Sequence, residues 1–186
     1  MAIKNEISDF IIEPQELIKL LSSENISVID CRWFLNQSKK GKEEYNSFHI
    51  HGAIFFDIEK ISDQKSNLPH MFPKKETFFN FININGIKRD DFIIIYDQCG
   101  LFCSARVWLT FNYFGFKNIK ILNGGIEKWC LKKFPVTNLK TKRKKIFNSF
   151  NPVRKQIIIT KKNIQESIRK NNKNLTIIDA RPKNRY

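Results

Sequence analysis

Residues 92–115 read FIIIYDQCGLFCSARVWLTFNYFG, and the fold turns on them. The run from Phe92 to Tyr96 is apolar and rich in β-branched residues, the pattern of a strand buried on both faces of a parallel sheet. A polar loop, residues 97–104, follows. From Ala105 the apolar residues Val107, Trp108, Phe111 and Phe114 return at helical spacing until Gly115 supplies a stop. The loop therefore joins a strand's carboxyl end to a helix's amino end. In an open α/β sheet that junction favours an anion, because free backbone N–H groups and the helix dipole meet there. A site in this chain should border this loop.

Working outward, residues 119–122 predict another strand, Gly124-Gly125 a tight turn, and residues 126–133 a short helix carrying Trp129. Towards the N-terminus, Pro14 opens a helix with Leu17, Leu20 and Leu21 on one face, and residues 27–30 (SVID) form a buried strand. Cys31, Arg32 and Trp33 leave that strand into a polar, Lys-rich loop reaching about Tyr45. Gly52 permits a turn before a strand over 53–56. Residues 62–75, with LPHMFP, are an irregular loop long enough to be functional. A helix over 76–85 turns Phe78, Phe79 and Ile82 inward. Strands alternate with helices, so an α/β fold with a mostly parallel sheet covered on both faces is expected. Trp33, Trp108 and Trp129 fall on apolar faces and read as core.

Residues 137–152 are basic and lack periodicity, as a linker does. A helix over 160–170 and the segment LTIIDAR (175–181) then repeat the order seen around SVIDCR (27–32), which marks the opening of a second copy of the domain. The expected organisation is a complete domain over 8–137, a basic linker over 138–159 and the start of a second repeat over 160–186. Packing should be poor from about residue 138 onward.

The chain has 186 residues, 41% of them hydrophobic, enough for one good core. It has no apolar run long enough to cross a bilayer, and its N-terminus lacks a signal-peptide core, so it reads as soluble and cytoplasmic. The four cysteines form no C-x-x-C pair and the three histidines no metal-ligand spacing. Reduced thiols, no metal and no cofactor are the reading. The formal charge is +15. Lysines are spread over nearly every segment and dense only at 140–145, which suits a solvated basic surface that attracts anionic substrates. A nucleic-acid patch at 140–145 is the alternative.

Four stretches carry a resemblance to a known family. They are YNSFHIHGAIFFDIE (45–59), SDQKSNLPHMFP (62–73), IIYDQCGLFCSARVW (94–108) and LNGGIEKW (122–129). In this order and spacing the chain resembles the two-domain rhodanese-type sulfurtransferases, which act on thiosulfate or 3-mercaptopyruvate. His51 departs from the pattern, which has proline there. The resemblance implies a rhodanese-like fold. It also implies a reaction in which a cysteine thiolate takes sulfane sulfur from a small anionic donor, becomes a persulfide, and passes the sulfur to a thiol or cyanide acceptor.

In that family the nucleophile opens the equivalent loop of the second domain, and the first domain has aspartate there. Asp97 stands at that position, so the resemblance makes this the non-catalytic copy and places the catalytic cysteine in the missing second rhodanese domain, beyond Tyr186. By the same resemblance Arg185 matches a position contacting the donor's anionic oxygens. His70 and Glu59 match first-domain positions facing the cleft, and Phe102 stands where some relatives have tyrosine. Each has a plainer reading: an arginine near a chain end, a hydrogen-bonded loop histidine, a glutamate paired to a local lysine. Asp30 and Asp179 read as loop anchors. Cys99 is the alternative nucleophile, which would make the domain a stand-alone sulfur carrier or binding module. Its six-residue spacing to Arg106 is one more than the C-x5-R phosphate cradle has, and Asp97 would repel an anion. Cys103, Cys31 and Cys130 read as packed, inert thiols.

Overall fold

The computed structural model describes residues 9–147, 157–171, 175–179 and 183. Two compact units divide the chain, Met1–Arg154 and Lys155–Tyr186.

In the first unit five strands form one sheet in the order β1-β6-β5-β2-β4. They are β1 (Ile11–Ile12), β2 (Ile26–Asp30), β4 (Ile54–Phe55), β5 (Phe92–Tyr96) and β6 (Ile119–Leu122). All four pairings are parallel, and β2 lies beside β5 with Ile29 opposite Ile95 and Asp30 opposite Tyr96. From β2 the chain leads towards β4 at one side, and from β5 towards β6 at the other. β2 and β5 therefore flank the point where the winding reverses, the place where open sheets leave a crevice at their carboxyl ends.

Alternate residues of the central strands enter two different cores, as the two-residue side-chain period requires. Ile29, Ile93 and Ile95 pack with α3 (Lys75–Ile84) and α4 (Ser104–Tyr113), a cluster of phenylalanines in which Phe78 and Phe114 stack at 4.4 Å between centroids. Val28, Ile94 and Tyr96 pack on the other face with Leu17 of α1 (Pro14–Leu20), Tyr45, and Trp129 of α5 (Gly125–Leu131). Trp129 is fully buried, but Trp33 and Trp108 only border the phenylalanine core.

Residues 40–47 correct the sequence reading, which carries a loop to Tyr45: they form α2 (Lys40–Ser47). Only Gly41 and Tyr45 are buried on it, too few for a visible apolar period. Tertiary contacts hold it instead. A Cβ on Gly41 would stand 2.0 Å from the Arg32 carbonyl oxygen, and the Tyr45 hydroxyl donates to the Ala53 carbonyl at 2.9 Å.

Residues 138–147 bury no side chain, as the sequence suggests, but hydrogen bonds pin them to the domain. β7 (Val136–Thr137) pairs antiparallel with β3 (His49–Ile50). Beyond it the Leu139 carbonyl lies 3.1 Å from His49 Nε2, and the Ile146 amide donates to the Asn83 carbonyl at 3.0 Å. Between these points Arg143 donates to the Ser27 hydroxyl and lies 3.5 Å from the buried Asp91 carboxylate. The segment is a strap laid along the domain.

In the second unit α6 (Lys161–Arg169) begins at Thr160, whose hydroxyl accepts from the Asn163 amide. Ile168 on it is exposed. The apolar run LTIID, residues 175–179, makes no ladder among the described residues. An apolar run becomes a strand only when a neighbour takes its hydrogen bonds. Among the described residues no helix is long and apolar enough to cross a membrane.

Candidate functional site

The loop after β5 is wrapped around a carboxylate of its own. Asp97 is fully buried. Its Oδ1 accepts from the amides of Cys99, at 3.1 Å, and Gly100; its Oδ2 accepts from Cys103 at 2.8 Å and Ser104 at 3.0 Å. These amides, at the entry to α4, are the donors that a sequence reading assigns to an external anion. Burial pushes the Asp97 pKa up, but the amides of Ser104, Cys103 and Gly100 together outweigh it and hold the carboxyl below its ordinary range. The cradle is built and already occupied.

The Gly124-Gly125 turn closes the cradle from behind. The amide of Ile126 donates to the Asp97 carbonyl at 2.9 Å, and that of Glu127 to the Gln98 carbonyl at 3.1 Å. Gly125 has φ +56°, and a Cβ there would stand 2.4 Å from the Asp97 carbonyl oxygen and 2.9 Å from the Cys99 nitrogen. Gly125→Ala combines left-handed strain with backbone overlap and is expected to cost about 3 kcal/mol in urea unfolding. A loss below about 1 kcal/mol would mean that the turn does not brace the loop.

The end of β2 carries a second buried network. Arg32 donates from Nη2 to Asp30 Oδ2 at 2.8 Å and to the Phe48 carbonyl at 2.6 Å, and from Nη1 to Glu44 at 3.3 Å. The Tyr96 hydroxyl donates to Asp30 Oδ2 at 2.7 Å and accepts from the Ile50 amide at 3.2 Å. Burial, then Asp30, pushes the Tyr96 pKa well up, so the phenol keeps the proton it donates. Asp30 is the anchor that the sequence suggests.

Glu59 and His70 come together. His70 Nε2 lies 2.9 Å from Glu59 Oε2, and the Trp33 indole donates to Glu59 Oε1 at 2.7 Å. Burial raises the Glu59 pKa, but the Trp33 and His70 contacts reverse this and leave it lowered. The partner of Glu59 is thus a tryptophan and a histidine, where the plainer reading has a lysine. Trp33 meets His70 edge-on at 5.1 Å and stacks on Phe102 at 6.2 Å. Its carbonyl accepts from Gln98 Nε2 at 3.0 Å, which ties this cluster to the Asp97 loop at the sheet's reversal point. Trp33 is the site residue missed in the sequence, where it reads as core. Its place directly after the strand end, opposite the loop, is the signal that marks it.

Cys99 is exposed on the loop, yet burial at its sulfur and the charges of Asp97 and Glu127 push its thiol up, away from the thiolate a nucleophile needs. Cys103 and Cys31 are buried, the Cys103 thiol against the Cys31 carbonyl at 2.8 Å. Cys130 is exposed, against the reading of it as packed. Arg185 lies outside the described residues. Among the described residues no group of three or more His, Cys, Asp or Glu is placed to hold a metal ion.

A parallel sheet whose reversal-point loop encloses an anion defines the class of the domain: an α/β fold with a backbone anion cradle. The rhodanese-like domain family matches residues 13–132, and the chain belongs to that family. Thiosulfate/3-mercaptopyruvate sulfurtransferase 2 of Arabidopsis thaliana is 40% identical over 110 residues, covering 59% of this chain and 32% of that protein. Thiosulfate sulfurtransferase of Rattus norvegicus is 28% identical over 165 residues, covering 87% of this chain and 54% of that protein. The chain thus spans 32–54% of the length of these two relatives. The crystal structure of SseA from Escherichia coli, a 3-mercaptopyruvate sulfotransferase, has a TM-score of 0.84 at 30% identity and covers 95% of this chain and 67% of that one.

Proposed function

We propose that this domain is the non-catalytic repeat of a sulfurtransferase of the thiosulfate/3-mercaptopyruvate type. In this reading residues 160–186 open a second repeat, and the cysteine that carries sulfur heads the loop of that repeat equivalent to residues 97–104. The thiolate attacks the outer sulfur of thiosulfate, whose S–S bond breaks to release sulfite, or the sulfur of 3-mercaptopyruvate, whose C–S bond breaks to release the pyruvate enolate, which takes up a proton; the persulfide then yields its outer sulfur to a thiol or cyanide and the thiolate is restored. Arg185 receives the donor's anionic oxygens as a guanidinium fork. Glu59 and His70, with Trp33 and Phe102, supply one wall of the cleft. The observation that carries the reading is the Asp97 carboxylate inside the cradle: four loop amides are spent on it. The names of the relatives support the substrate class.

The test is the 186-residue chain incubated with cyanide and thiosulfate or 3-mercaptopyruvate. No steady thiocyanate formation is expected. Turnover that is abolished by Cys99→Ser would overturn the reading in favour of a sulfur-carrying Cys99.

A further inference from the structure

A second polar cleft lies beside α2, and no residue of the Asp97 loop lines it. Lys42 Nζ stands 4.5 Å from the ring centre of Tyr45 and 4.7 Å from that of Phe55. Neither Lys42 nor Lys140 takes part in an ion pair among the described residues. The nearby carboxylate, Asp57, is engaged by Lys60 at 3.5 Å. Both lysines line a cleft of about 360 Å³, within the ordinary range of small-ligand sites.

The lining converges from separate parts of the chain. Lys42 and Asn46 are four residues apart on α2 and so share a face. Lys140 and Thr141 come from the strap, which is pinned on either side of them by Leu139 against His49 and by Arg143 against Asp91. Asn85 also lines the cleft but gives its amide to the Phe81 carbonyl at 2.8 Å. We propose that Lys42, held over the rings of Tyr45 and Phe55, together with Asn46 and Lys140 and beside Thr141, whose side chain is bonded to Tyr45, binds a small oxyanion of the phosphate or sulfate class.

Electrostatics favours this occupant. Burial lowers the Lys42 pKa, Asp57 opposes the fall, and Lys60 and Lys140 add to it. An oxyanion beside the two exposed ammonium groups relieves their repulsion. A nucleic-acid strand fits less well. Of the basic residues in 140–145 only Lys140 lines the cleft, and Arg143 is committed to Ser27 and Asp91.

The test is titration of the full chain with sodium phosphate and, separately, sodium sulfate, at ionic strength held constant with sodium chloride. Backbone amide shifts are followed by NMR. Saturable shifts centred on Lys42, Asn46, Lys140 and Thr141 are expected with both anions, and at least a tenfold loss of affinity in the Lys42→Gln/Lys140→Gln variant. Lys140→Arg, which keeps the charge, should retain binding within about threefold. Linear shifts, shifts centred on other residues, or unchanged affinity in the double variant would overturn the proposal. Should the double variant fail to fold, the map on the unaltered chain decides alone.

Discussion

Asp97→Asn is expected to destabilise the domain by about 3 kcal/mol in urea unfolding, although it changes one atom type. The carboxylate offers acceptors to four loop amides, two at each oxygen. An amide keeps one oxygen and turns two N–H donors towards the other pair, leaving two buried amides without partners, each worth about 1–3 kcal/mol. The pH dependence should change with it. Asp97 titrates below its ordinary range, so its contribution is present above the unfolded carboxyl pKa of about 4 and is lost as pH falls through the lower folded value. The unaltered chain should therefore lose stability more steeply than Asp97→Asn as pH is lowered below about 4. Equal acid limbs, or a loss under about 1 kcal/mol, would mean that the cradle does not depend on the charge.

Arg32→Met should be at least as costly. The guanidinium is buried, forms a 2.8 Å ion pair with the fully buried Asp30, and ties β2 to Phe48 and, through Glu44, to α2. Removing one partner of such a pair strands the other charge, typically at about 3–5 kcal/mol. That is a large share of the roughly 5–15 kcal/mol that holds a domain together. Replacing both, as Asp30→Leu/Arg32→Met, should cost clearly less than the sum of the two single changes. Additive losses in that double-mutant cycle would show that Arg32 acts through packing rather than through Asp30.

The elements legible in the sequence are those that carry their own hydrophobic signal. FIIIY and IKIL are buried on both faces, and β5 and β6 occupy those residues. α2 is hidden because KGKEEYNS keeps its place through Gly41 beneath the Arg32 carbonyl and through the Tyr45 hydroxyl, contacts made across the chain. β1 pairs with β6 over two residues, too short for periodicity to show. The strap reads as a linker since its anchors are single side chains and carbonyls met 50–120 residues away.

For the site, sequence points to the loop and Asp97, and names Glu59 and His70 one by one through their motifs; that these two meet at 2.9 Å is not legible in it. It does not show that Asp97 faces inward to its own amides, since which way a loop carboxylate turns is decided by backbone geometry. Nor does it show Trp33 beside Glu59. An indole looks the same in sequence whether its N–H is buried in a core or donated to a carboxylate at 2.7 Å.

In the proposed reading the cradle of this domain holds a carboxylate and takes up no sulfur. Intact-mass measurement of the full chain after incubation with thiosulfate or 3-mercaptopyruvate, followed by peptide mapping of residues 97–104, addresses it directly. An unchanged mass is expected. A gain of one sulfur atom, mapped to Cys99 and removed by cyanide, would contradict it.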